Sequence, residues 1–160
     1  MKQRNMASVY LISDNKFLLL KRQGSRVVND MWIGAAGGHF EKNELNDAET
    51  CALRELEEEL GLTAADVSNL RLRYVTLRHT AGEIRVNYFF FAKLENHDKE
   101  LYSNEGELAW FKVTELKDLE MPFTAEFVMK HYINIGLYDS QIYGGVADGR
   151  EIIFTAMPEF

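Results

Sequence analysis

The sequence predicts an α+β fold in which a mixed β-sheet lies between helices. Paired apolar runs separated by turn residues recur along the chain, a pattern typical of β-hairpins. Two segments instead carry the start and stop signals of helices. The run of residues 88–91 is too apolar for a strand with one face in water, so both faces of the sheet should be covered. At 160 residues the chain has the length of one domain, and we expect residues 1–160 to form it.

The first half of the chain predicts a hairpin, an irregular segment and the strongest helix. Residues 9–12 and 17–20 are apolar runs joined by a cluster of turn residues, so we expect them to pair. Residues 22–40 are rich in glycine and predict an irregular segment. The helix is predicted over residues 47–60, because Asn46 and Glu49 have the spacing of a capping pair and Gly61 is a natural stop.

The second half predicts two further hairpins, a short strand and a second helix. Residues 70–77 and 83–94 should pair through a turn at residues 80–82, and a strand should follow at residues 108–113. Pro122 opens a helix that extends to about residue 135, since proline is favoured in a first helical turn. The last hairpin joins residues 141–146 to residues 151–155 through Asp148 and Gly149, a strong hairpin signal.

Composition excludes several classes of function. The net charge of −7, from 25 acidic and 18 basic residues, argues against general nucleic-acid binding. The single cysteine, Cys51, excludes an intrachain disulfide and a cysteine-based zinc site. No apolar run approaches the roughly 20 residues that span a bilayer, and residues 1–6 lack a signal-peptide core. We therefore expect a cytoplasmic protein without a membrane partner. An acidic protein that binds a polyanion would need metal cations between the two.

Carboxylates cluster on one side of the first predicted helix. Glu55, Glu58 and Glu59 fall within an arc of about 100°, whereas Glu57 points away from them. Each like-charge pair costs roughly 0.2–0.5 kcal/mol, and acids near a helix C-terminus also oppose the helix dipole. Hard divalent cations require such oxygen ligands, so the cluster favours a Mg²⁺ or Mn²⁺ site. A solvated acidic face of the helix is the alternative.

The residues around this helix resemble the signature of the Nudix hydrolases, G-x5-E-x7-R-E-U-x-E-E-x-G-U, in which U is aliphatic. The resemblance covers residues 38–62, and Trp32 before the glycine pair extends it. Nine residues rather than seven separate Glu44 from Arg54, so this stretch is two residues longer than the signature. We expect the extra residues around 45–47, before the helix. The positions that match by type are Gly38, Glu44, Arg54, Glu55, Leu56, Glu58, Glu59, Gly61 and Leu62.

The resemblance implies a fold, a reaction and a set of site residues. It implies the Nudix α/β/α sandwich and the Mg²⁺- or Mn²⁺-dependent hydrolysis of a nucleoside diphosphate linked to another group. Glu58 and Glu59 would be the principal metal ligands, and Glu55 a further ligand or the general base. Arg54 would orient the carboxylates through its forked guanidinium. The Gly37 carbonyl could complete the metal shell.

Other residues are candidates for contact with the substrate. Arg22 ends a strand and could meet a phosphate, and Gly38 allows close approach of the backbone. Trp32 could stack on the substrate, although packing is the alternative. Glu105 and Glu107 are candidates for the distal acidic ligand that some family members add, and Glu107 is also assigned to the substrate side.

The substrate itself is less tightly constrained by the sequence. Residues 32–38 resemble the W-x-G-x-G-G form of MutT-like enzymes, with one extra residue before the glycine pair. This favours a (d)NTP pyrophosphatase, with 8-oxo-dGTP as a candidate substrate and a nucleoside monophosphate and pyrophosphate as products. The alternatives are a Nudix hydrolase of ADP-ribose, a dinucleoside polyphosphate or a nucleotide sugar, and a non-catalytic Nudix-like ligand-binding module. The aromatic second hairpin and the C-terminus could support a homodimer.

Overall fold

The computed structural model describes residues 1–24, 29–96 and 98–160. Residues 25–28, inside the segment predicted to be irregular, lie outside the described residues. Short 3₁₀ turns occur at Lys42–Glu44, Ala64–Asp66, Val113–Asp118 and Gly136–Tyr138. The helices are α1 (Ala48–Leu60) and α2 (Phe123–Asn134). The strands are β1 (Lys2–Ser13), β2 (Lys16–Arg22), β3 (Trp32–Gly34), β4 (Ala36–His39), β5 (Val67–Thr80), β6 (Glu83–Leu94), β7 (Gly106–Lys112), β8 (Tyr143–Ala147) and β9 (Ile152–Ala156).

All of these strands belong to one mixed sheet. The main path runs β3-β2-β1-β6-β5-β8-β9, with β1 parallel to β6 and β5 parallel to β8. One edge of β1 pairs with β6, and the other edge is divided between two partners. Residues 6–9 pair with β4, and residues 11–13 pair with β2. Strand β7 adds to the free edge of β2. The sheet therefore forks at β1, where β2 and β4 diverge. Strand β4, which leads toward α1, is one arm of this fork.

The sheet is covered on both faces. Alternate side chains of β1 and β6 point to opposite faces, as strand geometry requires. The core on the α1 side contains Ala7, Val9, Leu11, Cys51, Leu56 and Phe90. The core on the α2 side contains Tyr10, Phe17, Phe89, Phe91, Val128 and Tyr132. The α+β class, the sandwich arrangement and the two-sided burial predicted for residues 88–91 are thus confirmed. No helix in the described ranges has the length and apolar character needed to cross a bilayer.

The segment predicted as irregular contains two strands, so that prediction is wrong for residues 32–34 and 36–39. Gly37 and Gly38 lie in β4, opposite Ser8 and Ala7 of β1. A Cβ added at Gly37 would lie 2.6 Å from the carbonyl oxygen of Ala7. Glycine normally weakens a strand, but here it permits an approach that no other residue allows. The glycines that suggested a loop are what let the strand form.

The predicted hairpins are present, with different bounds. The first strand begins at Lys2 rather than at residue 9, because its polar residues 2–5 pair with β6 and residues 6–9 pair with both β4 and β6. Ala81 and Gly82 both have positive φ, 50° and 74°, in the turn between β5 and β6. In the last hairpin the Asp148 carboxylate accepts from the N–H groups of Arg150 and Glu151, which closes the turn.

Candidate active site

Helix α1 positions the acidic side chains, and both of its ends are fixed. The Asp47 carboxylate accepts from the Thr50 N–H at 3.1 Å, so the N-cap is Asp47 rather than Asn46 as predicted. Gly61 adopts a left-handed φ of 66° and donates its N–H to the carbonyl of Glu57 at 2.9 Å. Leu56 is fully buried, so this side of α1 faces the core. Glu57 is exposed, as the helical spacing predicts.

Arg54 gathers carboxylates from three positions. Its Nε and Nη2 donate to the two oxygens of Glu44 at 2.6 and 3.0 Å. Its Nη1 donates to Glu55 at 2.8 Å and to Glu58 at 3.0 Å. Its Nη2 also donates to the His39 carbonyl at 3.0 Å, which joins the helix to β4. These charge-assisted bonds hold the planar guanidinium in one orientation. They also raise the pKa of Arg54, chiefly through the bond to Glu44.

Glu44 binds the Arg54 guanidinium from the buried side. Its side chain is 1% exposed and accepts the Glu41 N–H at 2.8 Å, within the 3₁₀ turn Lys42–Glu44. The hydrogen bond from Arg54 lowers the pKa of Glu44 from 4.5 to about 2. Glu44 therefore remains a buried carboxylate at neutral pH, and its charge is balanced by Arg54. The longer connection at residues 45–47 does not separate these two side chains.

Gly38 leaves the space that the Glu55 carboxylate occupies. A Cβ added at Gly38 would lie 2.1 Å from Oε1 and 2.5 Å from Cδ of Glu55. Glu55 is itself 7% exposed, so its carboxylate has no alternative place in solvent without movement of the helix. Glycine at this position is therefore a requirement of the carboxylate geometry.

Glu59 faces a narrow cleft at the fork of the sheet. The cleft holds about 50 Å³, and its polar lining includes Ser8, Arg22, Glu59 and Glu105. Burial, followed by the neighbouring charge of Glu55, raises the pKa of Glu59. The Gly37 N–H donates to the Glu59 carboxylate and offsets part of this shift. Burial and the nearby carboxylate of Glu55 both disfavour the charged form of Glu59, so the pair favours a shared proton or a bound cation.

Arg22 brings a cation to the same cleft. Its Nη2 lies 3.4 Å from Oε2 of Glu105, and its buried Nε has no hydrogen-bond partner in the part of the chain that the structure describes. A buried donor without a partner costs free energy, typically about 1–3 kcal/mol. An anionic group entering the cleft would satisfy it. Of the two candidate acids, Glu105 and Glu107, it is Glu105 that lines this cleft.

The remaining predicted residues lie elsewhere. Glu107 is exposed on β7, opposite Lys21 of β2. The Trp32 ring packs edge-on against Phe111, with 4.7 Å between centroids, and Lys21 lies over it. The structure thus brings together two groups of predicted residues. One is Arg54 with Glu55 and Glu58, and the other is Glu59 with Gly37 and Arg22.

Sequence reasoning missed Ser8 and the buried position of Glu44. Ser8 lines the cleft from β1, where it interrupts an apolar run and pairs with Gly37. That interruption is the only signal for Ser8 in the sequence. Cys51, the single cysteine, is fully buried in the α1-side core. Burial raises its pKa to about 12, which leaves it an unreactive thiol.

The carboxylate oxygens near Gly37 are of the type that binds a hard divalent cation, although they do not converge on a single point. Among the described residues, no three His, Cys, Asp or Glu side chains form a ready cluster for an ion. Arg54 draws the carboxylates of Glu55 and Glu58 toward itself. Glu55, Glu58 and Glu59 nevertheless supply oxygen ligands within one and a half helical turns, next to the backbone of Gly37. Oxygen donors of this kind suit Mg²⁺ or Mn²⁺.

Comparison with known families identifies the family of the chain. The NUDIX domain family matches residues 1–132, which include β1, the fork, the glycine pair and α1. The chain therefore belongs to the Nudix family and is a Nudix hydrolase, an enzyme that cleaves phosphoric anhydride bonds. No curated protein matches the chain in sequence.

Solved structures share the fold. The mMutator MutT protein of Bacillus halodurans is 23% identical, with a TM-score of 0.67, and the match covers 98% of this chain and 99% of that one. A NUDIX hydrolase from Nitrosomonas europaea is 20% identical, with a TM-score of 0.71, over 92% of this chain and 80% of that one. An Ap4A hydrolase from C. elegans is 15% identical, with a TM-score of 0.64, over 86% and 97%. At these identities the likeness is one of fold.

Proposed function

We propose that this protein is a divalent-metal-dependent pyrophosphatase of nucleoside triphosphates, releasing a nucleoside monophosphate and pyrophosphate. The observation that carries the proposal is the Arg54 fork, which holds Glu44, Glu55 and Glu58 at one edge of α1. The MutT-like form of residues 32–38 favours the triphosphate over other nucleotide derivatives, whereas the fold is shared with a MutT protein and an Ap4A hydrolase alike. Oxidised dGTP is the first substrate to test.

The metal site would be formed chiefly by Glu58 and Glu59, with the Gly37 backbone and the Glu55 carboxylate beside them. A bound Mg²⁺ or Mn²⁺ would lower the pKa of a coordinated water and neutralise phosphate charge. This neutralisation matters because the protein carries a net charge of −7 and would otherwise repel a nucleotide.

The chain's own residues position these groups before substrate arrives. Glu44 is buried and fixes Arg54 at two points, so Arg54 presents Glu55 and Glu58 in a defined orientation. Gly38 keeps the Glu55 carboxylate against β4. Arg54 is a positioning residue in this arrangement. Such preorganisation removes reorganisation that would otherwise slow the reaction.

Two carboxylates are candidates for taking a proton from the attacking water. Glu55 is buried and held by Arg54, whereas Glu58 is more than half exposed and can reach solvent. We assign the general base to Glu55 and a ligand role to Glu58, because a buried base is shielded from competing water.

Arg22 would bind a substrate phosphate. Arg22 lines the cleft together with Glu59 and Gly37, and its buried Nε has no hydrogen-bond partner among the described residues. At about 50 Å³ this cleft is smaller than the roughly 300 Å³ of a typical ligand pocket. It can accept a phosphate group but not a nucleoside, so the base would lie outside it.

The test is a hydrolysis screen with Mg²⁺ at slightly alkaline pH, with products identified by chromatography. The panel holds 8-oxo-dGTP, the ordinary (d)NTPs, ADP-ribose, NADH, dinucleoside polyphosphates and nucleotide sugars. We expect triphosphate cleavage that stops in EDTA and falls about 10²–10⁴-fold in Glu58→Gln or Glu55→Gln. Glu57→Gln, an exposed acid on the same helix, should retain full activity.

Each outcome of the screen either identifies the substrate class or contradicts the proposed activity. A different product pair would assign another nucleotide derivative as substrate. If the folded protein leaves every substrate intact with Mg²⁺ and with Mn²⁺, the catalytic proposal fails. A ligand-binding role would then replace it.

A further inference from the structure

A second open cavity lies on the α2 side of the sheet. It has a volume of about 420 Å³ and lies between β1, β5, β6 and the segment that follows α2. The carboxylate cleft begins at Met6 and Ser8 of β1, whereas this cavity is lined by Ile12 near the other end of the same strand. Among the described residues, the two cavities have no lining residue in common. The volume is within the range of small-molecule sites.

The cavity is cationic in an acidic protein. Arg71, Arg73 and Lys93 line it together with one carboxylate, that of Asp139. The chain as a whole carries a net charge of −7. The excess of positive charge at this cavity therefore contrasts with the net negative charge of the molecule.

The one carboxylate is fully engaged. Oδ1 of Asp139 accepts from Nη2 of Arg73 at 2.9 Å and from the Gln141 N–H at 2.9 Å. Oδ2 accepts from the Tyr143 hydroxyl at 2.6 Å. Asp139 thus compensates Arg73 and has little capacity left for another cation.

Arg71 and Lys93 have no such compensation. Neither forms an ion pair or a side-chain hydrogen bond with another residue in the described part of the chain. Arg71 pairs with Phe91 across the sheet, and Lys93 follows Phe91 by two positions, so both side chains project from the same face. Like charges placed diagonally on a sheet repel one another. A bound anion would remove that repulsion.

The residues that support these cations are buried and held by hydrogen bonds and ring stacking. Arg73 is 6% exposed, and it donates to the carbonyls of Gly136 at 2.7 Å and Gln141 at 2.9 Å. The Phe91 and Tyr132 rings stack at 4.0 Å beneath the cavity. Asn69, at the register shift of β5, has a positive φ of 51° and also lines the cavity. The charged groups of Arg71 and Lys93 therefore lie over residues that are already packed in place.

We propose that this cavity, the α2-side anion pocket, binds the phosphate group of a small phosphorylated molecule through Arg71 and Lys93. The Arg71 guanidinium matches a phosphate at two points, and Lys93 adds a point charge. Inorganic pyrophosphate and a nucleoside monophosphate both carry this chemistry. Binding here does not depend on the proposed hydrolysis, because the pocket lies apart from the carboxylates.

The test measures binding without metal. Inorganic pyrophosphate and GMP are each titrated calorimetrically in EDTA into the wild type, Arg71→Gln/Lys93→Gln and the control Arg150→Gln/Lys130→Gln. All four substituted side chains are exposed, so the variants should fold. We expect Arg71→Gln/Lys93→Gln to bind at least about tenfold more weakly than the wild type, since both charge-assisted contacts are lost. The control should bind within about twofold of the wild type.

The outcomes separate the two sources and the two cavities. Tighter binding of pyrophosphate means that phosphate alone is recognised, and tighter binding of GMP means that the nucleoside also contributes. Glu58→Gln should bind as the wild type does, whether or not hydrolysis is observed. Equal binding by Arg71→Gln/Lys93→Gln and the wild type, or no binding of either anion by the wild type, would overturn the proposal.

Discussion

Gly38 shows how a single missing side chain can set the position of a carboxylate. Replacement by alanine would place a Cβ 2.1 Å from Oε1 of Glu55, so the carboxylate or the helix must move. We expect Gly38→Ala to lower kcat about 100-fold, because a displacement of about 1 Å at a catalytic group has effects of this size. Steady-state kinetics beside a thermal melt would measure it.

The matched control for that change is Gly144→Ala. A Cβ at Gly144 meets the flexible end of Met157, at 3.1 Å from its sulfur, which can move aside. Gly144→Ala should therefore keep wild-type kcat. Wild-type activity in Gly38→Ala would show that Glu55 can be displaced without loss, and its assignment as base would then be wrong.

Arg54 is irreplaceable by lysine for geometric reasons. A lysine ammonium cannot bind Glu44 at two points while also reaching Glu55 and Glu58. We expect Arg54→Lys to weaken metal binding and activity by about 10–100-fold, the usual effect of losing a residue that orients metal ligands. Mn²⁺ titration and metal-dependent kinetics would measure both. The same substitution at exposed Arg150 should change neither, and an unchanged metal affinity in Arg54→Lys would contradict the positioning role.

At the scale of elements, α1 depends on its N-cap. The Asp47 carboxylate accepts from the N–H and from the hydroxyl of Thr50. Asp47→Ala should lower the free energy of unfolding by about 1 kcal/mol, whereas Asp47→Asn keeps an acceptor and should be nearly neutral. Urea denaturation would compare them. If both variants unfold as the wild type does, the cap contributes nothing to stability.

Local signals predicted some elements well and others poorly. Helix α1 combines an apolar face, a cap and Gly61, so its bounds were predicted to within about a residue. Strand β4 was not predicted because it forms by pairing with β1, and β1 approaches Gly37 so closely that no Cβ would fit there. Propensity describes a residue's own preference, whereas this strand is determined by its neighbour.

At the scale of the whole molecule, acid should destabilise the protein through Glu44. Its pKa is about 2 in the folded chain against an ordinary 4.5, so the unfolded chain takes up this proton first as the pH falls. The stabilisation from Glu44 is complete above pH 4.5 and is lost as the pH falls toward about 2. Glu44→Gln should therefore be less stable at neutral pH and decline less steeply in acid.

Chemical denaturation at several pH values would test this linkage. Glu57→Gln, which removes an exposed charge from the same region, should keep the wild-type slope between pH 2 and 4.5. An equal slope in Glu44→Gln and the wild type would mean that other carboxyls, such as Asp139 with its lowered pKa, determine the acid limb.

The candidate site was predictable only where it is local. Arg54, Glu55, Glu58 and Glu59 share one helix, so their spacing alone placed them together. The approach of Arg22 to Glu105 depends on the pairing of β2 with β7, whose register joins Arg22 to Gly106. No local pattern contains that register. For the same reason the choice between Glu105 and Glu107 could not be made from the sequence.

The forked pairing of β1 also determines where the chain can change in length. Within β4, inserting or deleting one residue would exchange the faces of Gly37 and Gly38, because side-chain direction alternates along a strand. The carboxylate of Glu55 would then meet a different residue. Residues 45 and 46 carry no strand pairing and join the 3₁₀ turn to Asp47, the N-cap of α1. Added residues are tolerable there, and natural length variation among relatives should concentrate in that connection rather than in the glycine pair.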